Sequence, residues 1–303
     1  MATLRELKGR IGSVASTGKI TGAMKMISSA KMHKYEQALK RLVPFREQVQ
    51  SVIGHLLAAE GEYTSPLIEE REVKSIAYLV YGSDDGLCGA YNNNIYKGLL
   101  EYVGKAREQY GNGIDVTVLP VGKKMTNATM RMVGTGVNVE PVTSIHTRST
   151  QKEVAEFAEM LKDKFLNKEY DLVEVIFMHY HSVSRQVLVK EQLLPVSYDV
   201  LVAESSSAVN KNAPCLLEPD GNTIFNSVLP LYLLSMVQTQ FTENNASEQA
   251  ARVMAMQSAS DNAKTLLETL QLEYNKLRQQ GITTELLDIV GGQVERLKGN
   301  NNE

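Results

Sequence analysis

The stretch Leu4 to Leu56, LRELKGRIGSVASTGKITGAMKMISSAKMHKYEQALKRLVPFREQVQSVIGHL, decides how the rest of the chain is read. Leu7, Val14, Thr21, Ser28, Tyr35, Leu42, Val49 and Leu56 recur every seventh residue. Leu4 and Ile11 supply the second apolar position early, and Met24, Ala38, Phe45 and Val52 supply it later, one residue out of phase. This pattern predicts a coiled-coil seam with a local slip. The slip lies in Gly18–Ala23, where small side chains let two helices approach closely. Leu233 to Leu297 carries the same signal. Ala246, Val253, Ser260, Leu267 and Tyr274 share one heptad position, and Met256, Ala263, Leu270 and Leu277 share the other. Two long helices at opposite ends of a chain most economically bury their stripes against each other. The expectation is an antiparallel coiled coil and a globular middle.

Gly9, Gly12, Gly18 and Gly22 each cost about 1 kcal/mol relative to Ala inside a helix, so the first helix needs partners. Pro44, at about 3 kcal/mol, predicts a kink or break near the globular middle. At about 1.5 Å per residue such a helix is roughly 80 Å long, more than a compact domain can cover. After Gly281, Leu286, Ile289, Val290 and Leu297 continue an apolar face past the expected start of the partner helix. An apolar helix tip of that kind marks an interaction site.

The middle changes period. Ser75–Tyr81 is a short apolar run rich in β-formers and reads as a buried strand. The loop Gly82-Ser83-Asp84-Asp85-Gly86-Leu87-Cys88-Gly89 follows, then a helix from about Asn92 to Tyr110. Ile114–Val121, Gly134–Pro141, Asp171–His179 and Gln186–Leu194 read as further strands, the last two paired through a turn at Ser182–Ser184. Gln151–Leu166 is a helix with Val154, Phe157, Ala158 and Leu161 on one face. Strands alternating with helices predict a Rossmann-like α/β domain with an antiparallel edge. The fold class is therefore α/β, with a long antiparallel coiled coil of N- and C-terminal helices. The expected segments are residues 1–60 (N-terminal coiled-coil helix), 73–200 (Rossmann-like domain), 201–224 (linker or surface excursion) and 225–303 (C-terminal coiled-coil helix).

Chemistry is sparse. The Gly82–Gly89 loop matches neither GxGxxG nor GxxxxGK[ST], and Asp84 and Asp85 repel phosphate. His179 and His181 share a strand face with no third ligand nearby, so an exposed strand end is the simpler reading than a metal site. No nucleophile elbow or dyad is present, Cys88 reads as a small structural hydrophobe, and neither cofactor nor metal is expected. Cys88 and Cys215 are too far apart in sequence and context to suggest a disulfide framework, which points to a reducing compartment. The start lacks the apolar run of a secretory signal, and no stretch reaches the ~20 apolar residues of a membrane span. At 43% hydrophobic and 22% charged, the composition is that of a soluble globular protein. Between Met1 and Arg46, ten Lys or Arg stand against Glu6 and Glu36. That basic helix suits nucleic acid, a membrane surface or an acidic protein partner, or is simply a solvated face.

Four segments in order carry a family resemblance: Lys19–Ile27 with Ala30-Lys31-Met32; Gly86–Asn92; Ala246–Arg252 with Ala255-Met256 and Asp261-Asn262-Ala263; and Tyr274–Gln279 with Ile282–Leu286 and Asp288-Ile289-Val290. The chain resembles the gamma subunit of F-type ATP synthase over nearly its whole length. It departs from that family at Gly22, where Lys is usual, and at Gly292–Glu295, where small residues are usual. It also lacks the regulatory cysteine pair of chloroplast members. The resemblance implies a rotor shaft inside a ring of three alpha and three beta subunits, with the middle domain on the c-ring together with the epsilon subunit. It implies no nucleic-acid partner and a peripheral place on the cytoplasmic face of the bacterial inner membrane. The nucleotide sites belong to other subunits. Ring contacts carried over are Met24, Lys25, Arg252, Arg278, Gln279, Thr283, Glu285, Leu286, Ile289 and Val290. Those on the c-ring and epsilon side are Leu87, Cys88, Tyr91 and Asn92. For Met24 and Arg252, stabilising the two-helix seam is the competing reading. Two other classes stand beside this one: a non-motor coiled-coil scaffold with a degenerate nucleotide-fold head, and a nucleotide-dependent enzyme using the Gly82–Gly89 loop. Failure to co-purify with alpha and beta subunits would favour the first, and direct ATP binding would favour the second.

Overall fold

The computed structural model describes residues 3–58, 63–111, 113–197, 201 and 217–299, with backbone alone at 58, 288 and 291–299. The elements run α1 (Leu4–Ala58), β1 (Ser75–Tyr81), α2 (Tyr91–Tyr110), β2 (Asp115–Val121), α3 (Lys123–Thr129), a 3₁₀ turn (Met130–Met132), β3 (Asn138–Val139), α4 (Gln151–Leu166), β4 (Leu172–Ser182), β5 (Arg185–Leu194) and α5 (Gly221–Gly299). The chain divides into two compact units: residues up to 27 with those from 255, and residues 28–254.

The larger unit is a five-stranded sheet in the order β3-β2-β1-β4-β5. β1 pairs in parallel with β2 and β4, β2 in parallel with β3, and β4 pairs antiparallel with β5. Both faces are covered, which is why β1 reads as a continuous apolar run rather than an alternation. Ala77, Leu79 and Tyr81 point to one side and join α4 (Val154, Phe157, Leu161, Phe165), α1 (Val49, Ile53, Leu56) and α5 (Phe225, Leu229, Leu233, Val237). Ile76, Tyr78 and Val80 point to the other and join α2 through Ile95, Leu99 and Val103. α4 starts where Thr150 caps it. The Thr150 hydroxyl accepts from the Glu153 amide at 3.4 Å, and the Glu153 carboxylate accepts from the Thr150 amide at 2.7 Å.

The smaller unit is a helix pair. Leu7 and Thr21 of α1 and Met256 and Leu270 of α5 are buried in it. A Cβ added at Gly18 would meet the Ala263 Cβ at 3.5 Å, and the Lys25 amine donates to the Gln257 carbonyl. Gly18 facing 263 and Lys25 facing 257 means that the helices run antiparallel. Fourteen residues back from Gly18 is Leu4, and fourteen on from Ala263 is Leu277, so α1 ends opposite that point and α5 continues.

Three expectations change. α1 passes Pro44 as one unbroken helix. The second α1 stripe is only partly correct, because Leu4, Phe45 and Val52 are exposed while Ile53 and Met32 are buried. α5 begins at Gly221, ahead of the expected 225 and of the apolar repeat from Leu233, and contains Pro230. Its start is set by Asp220, whose carboxylate accepts from the Thr223 amide at 2.9 Å and from the Thr223 hydroxyl at 2.7 Å. Of the expected 201–224 excursion, residues 202–216 (Cys215 among them) lie outside the described residues. Among the described residues no helix is long and apolar enough to cross a membrane.

Candidate functional site

In an open α/β sheet, ligands bind beyond the carboxyl ends of the strands where strand order reverses. Here the chain leaves β1 to one side for β2 and returns to its other side as β4, so that point lies between β1 and β4. The place is taken by α5. Asn244 Oδ1 accepts from the Tyr91 hydroxyl at 2.6 Å and from the Met178 amide of β4 at 3.4 Å. Its Nδ2 donates to the Gly82 carbonyl at 3.4 Å, just past β1, and the Tyr91 hydroxyl also reaches the Asn244 carbonyl at 3.0 Å.

The Gly82–Gly89 loop spends its polar groups internally. Asn92 accepts from the Ser83 amide at 3.1 Å and donates to the Ser83 hydroxyl at 2.7 Å. Asp84 accepts from the Lys123 amide at 3.0 Å and from the Thr147 amide and hydroxyl at 3.0 and 2.6 Å. Burial opposes its ionisation, but those hydrogen bonds outweigh burial and hold its carboxyl below the usual range. Asp85 pairs with Arg148 at 2.7 Å. The loop is tight because Gly122 sits against it at φ +96°, where a Cβ would lie 2.9 Å from the Ser83 backbone. At its tip Leu87, at φ 64°, is 60% exposed. A bulky residue in the left-handed region is a strained conformation, and here it turns an apolar side chain outward.

Arg252 holds the loop from below. Its Nε donates to the Gly86 carbonyl at 3.2 Å, and its Nη2 to the Asp85 carbonyl at 3.1 Å and to Glu248 at 2.7 Å. Arg252, for which a ring contact and a role within the chain are the two readings, is 6% exposed, with its Nε and Nη2 bonded within the chain. Cys88 and Tyr91, expected at the c-ring and epsilon side, are likewise buried, and of the four residues expected there Leu87 and the half-buried Asn92 reach the surface. Burial pushes the Glu248 carboxyl up to about 7. Arg252 works against that shift, and Asp84 and Asp85 add to it.

Met24 and Lys25 are half-buried in the helix pair. Arg278, Gln279, Thr283, Glu285, Leu286, Ile289 and Val290 are all exposed. From Ile282 to Val290 every described side chain is exposed, with Leu286, Leu287, Ile289 and Val290 each between 57% and 66%. His179 pairs with Glu243 of α5 at 2.6 Å, and among the described residues no three His, Cys, Asp or Glu are placed to hold a metal. Sequence reading missed Asn244 and Glu248. Their signal was a polar run, Thr242–Gln249, in which Ala246 alone fits the heptad, and Glu248 also stands in the family segment Ala246–Arg252.

The fold and this closed crevice define a protein that joins an antiparallel helix pair to a doubly wound α/β unit sealed by its own helix. A family profile described as ATP synthase matches residues 3–294. The ATP synthase gamma chain of Bacteroides thetaiotaomicron is 37% identical over 302 residues, covering 97% of this chain and 100% of the relative. The gamma chain of Xylella fastidiosa is 36% identical over 294 residues, covering 96% and 99%. Among solved structures, a chain of the Euglena gracilis mitochondrial ATP synthase (OSCP/F1/c-ring) has a TM-score of 0.65 at 20% identity, covering 98% of this chain and 95% of that one. A chain of the Tetrahymena thermophila central stalk and c-ring has a TM-score of 0.55 at 23% identity, covering 80% and 99%. This chain belongs to the ATP synthase gamma chain family.

Proposed function

We infer that the chain is the central rotor shaft of an F-type ATP synthase, coupling ion-driven rotation of a membrane c-ring to conformational change at alpha/beta catalytic sites. The observation that carries this reading is the tip of α5. Past Leu277 it has no opposite number in α1, and it exposes Leu286, Leu287, Ile289 and Val290 together. A contiguous apolar surface of that kind needs a partner. An asymmetric shaft inside the alpha/beta ring would bias each beta subunit differently at each angle, since a contact shifts an equilibrium only by its differential affinity.

In this reading the chain is a non-catalytic subunit, and nucleotide is bound by its partners. Arg278, Gln279, Thr283, Glu285, Leu286, Ile289 and Val290 face the ring, with Met24 and Lys25 closer to the beta-subunit contact loops. Leu87 and Asn92 face the c-ring and epsilon subunit, while Cys88, Tyr91 and Arg252 shape the loop from inside. The division into 1–60, 73–200, 201–224 and 225–303 separates shaft helices, head and connecting excursion. The complex would hold the chain peripherally at the cytoplasmic face of the bacterial inner membrane. The ten cations of the first 46 residues suit an acidic partner surface.

Co-expression with alpha and beta subunits, followed by native mass spectrometry and an ATPase assay, tests the reading. One copy per three alpha and three beta is expected, with activity lost when residues from Leu286 onward are deleted. An alpha/beta complex that is stable and fully active without the chain would overturn it.

A further inference from the structure

Asn244, Glu248 and Arg252 lie four residues apart on α5 and form one stripe. All three are buried. A stripe in that position would normally be apolar, because burying polar groups costs free energy unless each finds a partner. Asn244 and Arg252 find theirs at fixed points of the α/β unit: the Gly82 carbonyl after β1, the Met178 amide of β4, the Tyr91 hydroxyl at the start of α2, and the Asp85 and Gly86 carbonyls of the loop, while Glu248 pairs with Arg252 on the helix itself. An apolar contact is non-directional and lets a helix turn or slide against its neighbour. Hydrogen bonds lose strength steeply as their angle departs from linear. Seating one helical stripe on five such points therefore opposes rotation of α5 about its own axis.

We propose that this stripe is a torsional key. Asn244 and Arg252 are positioning residues that pass turning force between the Leu87 loop and the shaft helix, in the crevice where doubly wound folds elsewhere take a ligand. Arg252 is the decisive member because one planar guanidinium reaches two loop carbonyls and Glu248 together. A Lys ammonium keeps the charge but not the fork. The proposal rests on the reading of the chain as a rotor shaft, with the Leu87 loop on the c-ring side.

Two readouts test it with Arg252→Lys and, as a second variant that leaves the buried charge pair intact, Asn244→Ala. In the full chain carrying Cys215→Ser, Cys88 is the remaining thiol, and it is buried on the keyed loop. Its reaction rate with a thiol reagent should rise about tenfold in Arg252→Lys, since local opening governs access to a buried group. In the reconstituted ATP synthase, ions pumped per ATP hydrolysed should fall about fivefold or more for either variant, the low end of an ordinary coupling between two sites. Normalising pumping to hydrolysis, at unchanged Tm, separates lost coupling from lost folding. An unchanged Cys88 rate, or an unchanged pumping-to-hydrolysis ratio in a complex whose wild-type form is coupled, would overturn the key. If the wild-type chain itself forms no coupled complex, the shaft reading falls, and the key's torque role falls with it. The Cys88 rate would then still report whether Arg252 holds the loop.

Discussion

At the level of single residues, Glu248 sets a pH dependence. Burial lifts its carboxyl from 4.5 to about 7 in the folded chain. A carboxyl whose folded value is raised favours folding while protonated. That contribution is therefore fully present below about pH 4.5 and is lost as pH rises through about 7. Glu248→Gln keeps an acceptor for Arg252 and removes the titration. The Tm difference, variant minus wild type, should become steadily more favourable to the variant from pH 5 to about pH 7 and level off above it. A flat difference across that window would show that Arg252 already keeps Glu248 ionised. None of this was legible in the sequence. Glu248 sits in a helix among Ser247, Gln249 and Asn245, and only the fold reveals that the helix face bearing it is turned inward. Arg252 is singled out by resemblance, but a motif match gives no direction for a side chain, and only the fold shows that this one turns into the chain.

At the level of elements, periodicity carried far. The α5 heptad from Ala246 to Leu277 is buried or half-buried at every predicted position, and so is the first α1 stripe from Leu7 to Leu56. Pro44 misled because propensity is local. Its cost of about 3 kcal/mol is offset by Val49, Ile53 and Leu56 downstream, each contributing about 1.5–3 kcal/mol when buried. The second α1 stripe slipped because beyond Met32 the helix meets the core of the α/β unit, and its buried face follows that packing rather than a heptad. Gly18 offers a check on the helix pair. A Cβ there makes an ordinary 3.5 Å contact with Ala263, so Gly18→Ala should stabilise by up to about 1 kcal/mol. Gly18→Leu should cost about 1–3 kcal/mol through overpacking. At Gly22, where nothing lies within 4 Å, Ala should give the same gain and Leu should cost little within the chain. Denaturant titration of the four variants reads this directly, and equal effects of Leu at both sites would contradict the antiparallel register.

At the level of the whole molecule, the sequence yields an α/β unit and a helix pair because each has its own period. It also yields an apolar tip beyond the partner helix. It does not yield the sealed crevice, which depends on α5, 54 residues beyond the end of α4, lying across the ends of β1 and β4. At the place where a doubly wound fold can take a ligand, this chain holds a helix of its own. The most direct test of the central claim is single-molecule rotation. Alpha and beta subunits would be fixed to a surface, and a probe attached through Lys105→Cys, on the exposed side of α2, in a Cys215→Ser chain. With ATP supplied, the probe should turn in one direction in three equal steps per revolution, and the turning should stop when residues from Leu286 onward are removed. ATP hydrolysis by the same complexes with the probe stationary would contradict the account.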